Sequence, residues 1–211
     1  MHAYYCDRAP YMAKGLEIAP YRQLLEIIAE LKAQAQSKTV LEIACGTGYF
    51  TRYAGPVSRR TTATDVSEQM LSVARSLRIR NARILHDDAY RLDGVGDERF
   101  DFGFAMHWVS HIPMARWKEF FTTFHSRLRP GATVMLVDDI RRPNDADSWY
   151  SKLATHDTYE IRQLPNGESY EIVKTFFSAD DLRTLLQPYA DNLQIRFERP
   201  RWWLTYEVQR G

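Results

Sequence analysis

The chain has 211 residues, enough for one globular domain with a sizeable core and barely enough for two. Lys and Arg number 28 against 27 Asp and Glu, a formal net charge of +1, so no global field gathers polyanions, and partners such as nucleic acid or a membrane surface are not expected. Two cysteines, Cys6 and Cys45, exclude a disulfide framework; with no signal-like apolar core at the start and no membrane-length apolar run, a cytoplasmic location is the expectation.

Taken in order, residues from about 18 to 36 place Leu24, Leu25, Ile28 and Leu31 at helical spacing. Residues 39–44 form a compact apolar run that suits a strand buried on both faces. A second strand, 61–64, leads into Asp65, and Ser67 is placed to N-cap a helix carrying Met70, Leu71 and Ala74. A third strand, 83–85, precedes the acidic His86-Asp87-Asp88, and a fourth covers 100–106. Residues 114–128 read as a helix rich in Phe and Trp, stopped by Arg129-Pro130-Gly131 ahead of a fifth strand, 133–137. This alternation predicts an α/β domain with a mostly parallel sheet covered on both sides. Beyond Asp138 the pattern changes. Asn166-Gly167 between residues 159–162 and 170–173 signals a late hairpin. Ser178 caps a helix through Leu186, and strands near 193–197 and 202–207 close the chain.

The sharpest signal is the loop Glu42-Ile43-Ala44-Cys45-Gly46-Thr47-Gly48, between a strand and a helix. Glycines there let a ligand approach the backbone at the carboxyl end of the sheet. A dinucleotide site wants a third glycine where this chain has Thr51. The carboxylate of Glu42 repels a pyrophosphate but suits a cationic ligand, which favours a sulfonium amino acid. Asp65, ending the next strand, is placed to accept ribose hydroxyls, and Asp88-Ala89, after the third, to meet an adenine edge. Each feature has a plainer reading, an ordinary turn for Gly46 and Gly48 and a helix cap for Asp65. Cys45 reads as a small packing residue. Three acidic stations after three successive strands are harder to explain that way.

In these segments (VLEIACGTGYFT, ATDVSEQML, HDDAYRL, FDFGFAMHWVSHI and LRPGATVMLVD, spanning roughly residues 40–137) the sequence resembles the class I S-adenosylmethionine-dependent methyltransferases. The resemblance implies a Rossmann-like fold with a central, mostly parallel seven-stranded sheet, helices on both faces and a late β-hairpin insertion. It implies one domain: an N-terminal helical lid over 1–36, a cofactor-binding core over 38–138, a hairpin insertion over the acceptor site at 139–176, and a closing helix and strands over 177–211. Glu42, Gly46 and Gly48 are then expected at the methionine part of the cofactor, Asp65 at the ribose, Asp88 and Ala89 at the adenine, and Met70 beside the ring. Tyr4, Tyr5, Arg8 and Ala9, the His107-Trp108…His111 element and the hairpin residues Arg162 and Lys174 are similar to a branch of small bacterial O-methyltransferases, phosphonate O-methyltransferases among them. Where that branch continues Glu-Tyr-Asp, this chain has Pro10-Tyr11-Met12-Ala13.

The segment after the fourth strand lacks the Asn-Pro-Pro-Tyr or Asp-Pro-Pro-Tyr signature of base and glutamine methylation, which with the neutral charge favours a small-molecule acceptor. His107 and His111 are four apart and share a face if helical, as base or anion partner, or else they pack beneath the loop. Arg162 and Lys174, on opposite hairpin arms and not direct partners, grip a carboxylate or phosphonate or are simply solvated. Tyr4, Tyr5, Arg8, Tyr11 and Trp108 are expected near the acceptor and the sulfonium, or as core packing. Asp138 and Asp139 form an acidic pair without an evident third ligand, so no metal is expected. The chain is expected as a monomer or homodimer. Two rivals share the fold: a cyclase converting S-adenosylmethionine to azetidine-2-carboxylate, and a non-catalytic binding protein.

Overall fold

The computed structural model describes residues 2–13, 21–141, 149–152 and 157–209. Helix α1 (His2–Ala13) is followed by α2 (Arg22–Ala35), which buries Ile27, Ile28, Leu31 and Ala35. Of the predicted stripe Ile28 and Leu31 are buried, Leu24 is half-buried and Leu25 is exposed, and the start of that prediction, at Ile18, lies outside the described residues. Strands β1 (Thr39–Ile43), β2 (Arg60–Asp65), β3 (Ala82–His86), β4 (Phe100–Met106) and β5 (Leu128–Asp139) alternate with α3 (Thr51–Ala54), α4 (Glu68–Ser76) and α5 (Trp117–Ser126). Three strands, β6 (Trp149–Ser151), β7 (Thr158–Gln163) and β8 (Ser169–Val173), form a small separate sheet. Helix α6 (Ala179–Leu186), β9 (Ala190–Glu198) and β10 (Arg201–Val208) complete the chain.

The main sheet has seven strands in the order β3-β2-β1-β4-β5-β10-β9. Strands β1 to β5 are parallel, and β10 runs antiparallel to both of its neighbours. Chain order reverses direction between β1 and β4, so a crevice opens at their carboxyl ends, where open α/β sheets bind ligands.

Alternation along each strand splits the core in two. Leu41, Leu136, Trp202 and Leu204 face α5 and α6, while Val40, Phe102, Met135 and Trp203 face α2 and α3. Helix α5 packs Trp117, Phe120, Phe121 and Phe124 in one buried stripe, each worth about 1.5–3 kcal/mol of burial. Gly103 in β4 admits the stripe, since a Cβ there would lie 2.7 Å from the Phe124 ring.

Two boundaries differ from expectation. The predicted helix at 114–128 opens as a single 3-10 turn, Met114–Arg116, and becomes α-helical only from Trp117. β5 starts at Leu128 and runs through Pro130 and Gly131, with a register shift against β4 that absorbs them. The caps follow the sequence. Ser67 accepts from the Met70 N–H, and Ser178 makes a reciprocal capping box with Asp181. The hairpin turn is longer than a two-residue Asn-Gly turn: Leu164 and Glu168 close it around Pro165-Asn166-Gly167, with Gly167 at φ +90°. β6 on the outer edge of β7 makes the insertion a three-stranded sheet rather than a bare hairpin.

Candidate active site

At the carboxyl ends of the parallel strands lies a cavity of about 640 Å³, roofed by α1 and by the β7–β8 hairpin. Its first half is built by chain order. Glu42 ends β1 with 2% exposure, its Oε2 accepting from the Thr51 hydroxyl at 2.6 Å. Burial pushes its carboxyl up to about 8; the Thr51 bond opposes this and the Asp65 charge adds to it. A carboxylate stored in this state gains from any cation that arrives beside it. Asp65 ends β2 and accepts from the Gly46 N–H at 2.9 Å and from the Ser67 N–H at 2.8 Å. It therefore both shapes the glycine loop and starts α4. After β3, Asp87 is buried and takes the Asp88 and Val95 N–H groups, while Asp88 accepts from the Tyr90 N–H.

The two loop glycines have different roles. A Cβ on Gly46 would meet no atom within 4 Å, so this face of the loop is left open to a ligand. Gly48, at φ +79°, turns away from the cavity, and a Cβ there would press on Ala74 of α4 at 3.1 Å. Gly48, expected at the methionine part of the cofactor, is not among the residues that line the cavity. Met70, Ala89 and Val66 line the same half, and the residues present fit an adenosyl sulfonium: an open backbone face, a buried carboxylate and two further acidic stations.

The second half is assembled from distant segments. His111 has 2% exposure, and its Nδ1 lies 2.6 Å from the Val173 carbonyl, which can only accept. The proton therefore sits on Nδ1, and Nε2 accepts from the Tyr5 hydroxyl at 2.8 Å. Burial, with the Lys174 charge, pushes the His111 imidazole down to about 3. Burial likewise raises the Tyr5 phenol to about 12, against the pull of Arg162, Lys174 and Arg8. Around Tyr5, Arg8 donates to the Tyr4 hydroxyl at 2.7 Å, and Arg162 pairs with Glu160 at 2.8 Å.

Lys174, 3% exposed, donates to Ser110 Oγ at 2.9 Å, Asp138 Oδ1 at 2.9 Å and Asp139 Oδ2 at 3.1 Å. An ammonium has three donors, and all three are used. The expected grip of Lys174 on an acceptor is therefore replaced by an internal one. Asp138 also takes the Ser110 and Asp139 N–H groups, and burial, which raises its carboxyl, is outweighed chiefly by the Lys174 charge.

His107 stands at the end of β4 with φ +56°. Its Nε2 accepts from Arg201 Nε at 3.3 Å, which leaves the proton on Nδ1, 3.5 Å from Asp139 Oδ1. Burial would raise Asp139, but the His107 contact and the Lys174 charge hold it well below the usual carboxylate range. His107 is also the third group that the sequence did not supply for Asp138 and Asp139: one ligand atom from each lies within 4.8 Å of the others. The Lys174 ammonium already sits between the two carboxylates.

Of the residues expected from sequence, Glu42, Gly46, Asp65, Met70, Asp88, Ala89, His107, His111, Tyr4, Tyr5, Arg8, Trp108, Arg162 and Lys174 all line this cavity. Tyr11 does not; it is 38% exposed on the outer face of α1, and its neighbour Met12 lines the cavity instead. Tyr90, Arg116, Glu160 and Arg201 were missed. Tyr90 directly follows the Asp88-Ala89 station and was within reach of the same argument. Arg116 lies 3.4 Å from the Tyr90 ring centroid through a turn that had been read as helix. Arg201 enters only because β10 pairs with β5 and sets it opposite Asp139.

A family model described as "Methyltransferase domain" matches residues 40–131. Malonyl-[acyl-carrier protein] O-methyltransferases are similar in sequence. That of Pectobacterium atrosepticum is 33% identical over 98 residues, 45% of this chain and 36% of that protein. That of Yersinia pestis is 24% identical over 179 residues, 83% and 59% of the two. The chain thus spans less than two thirds of the length of these curated relatives. Among solved structures, a DhpI complex with SAH superposes with a TM-score of 0.76 at 27% identity, covering 99% of this chain and 95% of that one. A DhpI complex with SAM and HEP gives 0.75 at 26%, covering 96% and 94%. The PH0226 protein of Pyrococcus horikoshii shares the fold, with a TM-score of 0.77 at 16% identity over 99% and 100% of the two chains. The domain match takes in Glu42, Asp65 and Asp88 together with His107 and His111, the likeness to DhpI extends over the roof as well, and over these spans the chain is similar to S-adenosylmethionine-dependent methyltransferases.

Proposed function

We propose that this protein transfers the methyl group of S-adenosylmethionine to an oxyanion, a carboxylate or phosphonate, of a small acceptor held beneath α1 and the β7–β8 hairpin. The observation that carries this reading is the state of the two imidazoles. Each has its basic nitrogen engaged, His111 by Tyr5 and His107 by Arg201. A neutral hydroxyl acceptor needs a base to take its proton. An oxyanion does not.

The charges agree. Arg8, Arg162, Lys174 and Arg201 stand in this half against Asp138, Asp139 and Glu160, which leaves room for one negative charge. Glu42 is suited to hold the cofactor's ammonium group, Asp65 its ribose hydroxyls, and Asp88 with Ala89 its adenine, Met70 lying beside the ring. When bound, the cofactor supplies a methyl carbon made electrophilic by the sulfonium charge. The acceptor oxygen forms the new O–C bond with its own lone pair while the S–C bond breaks and its electron pair stays on sulfur. No proton moves. The residues here therefore act by aligning the oxygen and excluding water, effects worth up to roughly 7–11 kcal/mol. Tyr4, Tyr5 and Trp108 add aromatic faces suited to the cation, at about 0.5–2 kcal/mol each.

A metal-free reaction is part of this reading, because the Lys174 ammonium takes the place beside Asp138 and Asp139. The reading also keeps a monomer or homodimer in the cytoplasm, with no nucleic acid partner. Among the described residues no helix is long and apolar enough to cross a membrane. The test is incubation with isotopically labelled methyl donor and pooled phosphonates and carboxylates, with the product identified by mass. A methyl ester supports the reading. Methylthioadenosine formed from cofactor alone, or methylation confined to neutral alcohols and amines, overturns it.

A further inference from the structure

Arg201 belongs to no motif, and β10 begins with it. Its guanidinium lines the cavity, lies 5.2 Å from the Tyr21 ring centroid and is 3.5 Å from Asp139 Oδ1. Its side chain is 19% exposed. Among the described residues its hydrogen bond runs from Nε to His107 Nε2 at 3.3 Å, and Nη1 is buried with no hydrogen-bond partner. A guanidinium nitrogen buried in this way is costly to hold, and native structures rarely keep one unless something else completes it.

Among the described cations of the acceptor half, Arg8, Arg162 and Lys174 have no buried nitrogen in this state. Lys174 has no donor left, and Arg162 is bound to Glu160. Asp139, the one carboxylate within ion-pair distance of Arg201 among the described residues, already serves Lys174 and His107. Position indicates the occupant. β10 is three strands from β1, which carries the glycine loop, a separation of roughly 14 Å at about 4.8 Å per strand. It is next to β5 and close to the end of β4, on the acceptor side.

We infer that Arg201 binds the oxyanion of the methyl acceptor, a role that rests on the reading of an oxyanion acceptor given above. The same guanidinium caps His107 Nε2, so binding exchanges that contact for a charge-assisted pair, bidentate where the anion has two free oxygens. Selection follows. A neutral acceptor leaves the fork idle and His107 capped, whereas an anion satisfies the one and releases the other.

The experiment uses the full chain saturated with S-adenosylhomocysteine and titrated with methylphosphonate and, separately, acetate. It is followed by calorimetry and by the imidazole nitrogen resonances of His107. The wild type is expected to saturate with at least one probe, with the Nε2 resonance moving as the anion arrives. Arg201→Gln is expected to weaken probe binding tenfold or more and to show a displaced Nε2 resonance before any probe is added. Arg201→Lys, which keeps the charge but loses the fork, is expected to fall between. Both variants should bind S-adenosylhomocysteine within twofold of wild type, which also reports that they fold. Equal probe affinity in wild type and Arg201→Gln, or no probe binding by wild type, overturns the inference. A parallel loss of S-adenosylhomocysteine affinity overturns it too, by assigning Arg201 to the cofactor's carboxylate. A wild type that binds the probe through Arg201 yet methylates no oxyanion leaves this assignment standing and removes the functional reading instead.

Discussion

The two halves of the cavity are made in different ways. The half at the ends of β1, β2 and β3 takes Glu42, Asp65 and Asp88 from consecutive strand–loop units, each fixed by groups of the adjoining loops and helices: the Thr51 hydroxyl for Glu42, the Gly46 and Ser67 N–H groups for Asp65 and the Tyr90 N–H for Asp88. The half at the ends of β4, β5 and β10 joins side chains as far apart in sequence as Tyr5 and Arg201, and they are fixed mainly by one another. A half built from local turns tolerates single changes elsewhere. A half built from mutual side-chain contacts does not.

The largest test of this difference removes the cation at the centre of the second half. Lys174→Met leaves Asp138 and Asp139 without their ammonium and is expected to cost about 3–5 kcal/mol in urea unfolding. Under conditions where the variant is folded, its affinity for S-adenosylhomocysteine should remain within a few fold of wild type. A comparable loss of that affinity would show that the halves are coupled.

The reciprocal change is Gly46→Val. It fills the open face of the loop and forces a branched side chain to φ +55°, so S-adenosylhomocysteine affinity by calorimetry should drop at least about 100-fold, or about 2.7 kcal/mol. Binding of small anions in the other half should persist.

Protons distinguish the halves with opposite signs. Glu42 is raised to about 8 in the folded chain, so folding binds its proton, and stability from this group declines as pH rises from about 4.5 to about 8. His111 is lowered to about 3, so its contribution is intact above about 6.5 and declines as pH falls toward 3. Each slope approaches about 1.4 kcal/mol per pH unit at most. In urea unfolding across pH, Glu42→Gln should remove the alkaline-side decline, and His111→Asn the imidazole's share of the acid-side decline. Unchanged profiles would mean that these groups titrate alike in both states.

The smallest effect expected is that of Tyr5→Phe. It deletes one hydrogen bond from the roof and leaves His111 Nε2 unpaired, at a cost of about 1 kcal/mol in thermal or urea unfolding. Its effect on a methyl acceptor's KM should exceed its effect on cofactor affinity.

The same division explains what could be read from the sequence. Periodicity and caps gave the strands, the order of helices and the three acidic stations, because each depends on neighbours within a few residues. Ser67 and Ser178 cap the helices they were expected to cap. Trp117 and the phenylalanines of α5 went to the core, as their spacing required. In the acceptor half only the residue types were legible. That Lys174 is spent on Asp138 and Asp139 depends on β8 ending above β5, and nothing local encodes that meeting. Arg201 was invisible for the same reason, since its register against Asp139 belongs to the pairing of β10 with β5. Tyr11 falls on the outer side of α1 because a helix of 12 residues with an irregular polar pattern gives no clear phase.

The small sheet is easily mistaken for an appendage, being an insertion with its own strands. The Lys174–Asp138 pair, at 2.9 Å and closed to solvent on both sides, anchors its last strand to the floor of the main sheet. A local opening of β8 would have to separate two opposite charges in a medium that solvates neither. Amide hydrogens of β8 should therefore exchange with the slow central strands rather than with the surface loops, and the insertion should melt with the main sheet as one cooperative unit.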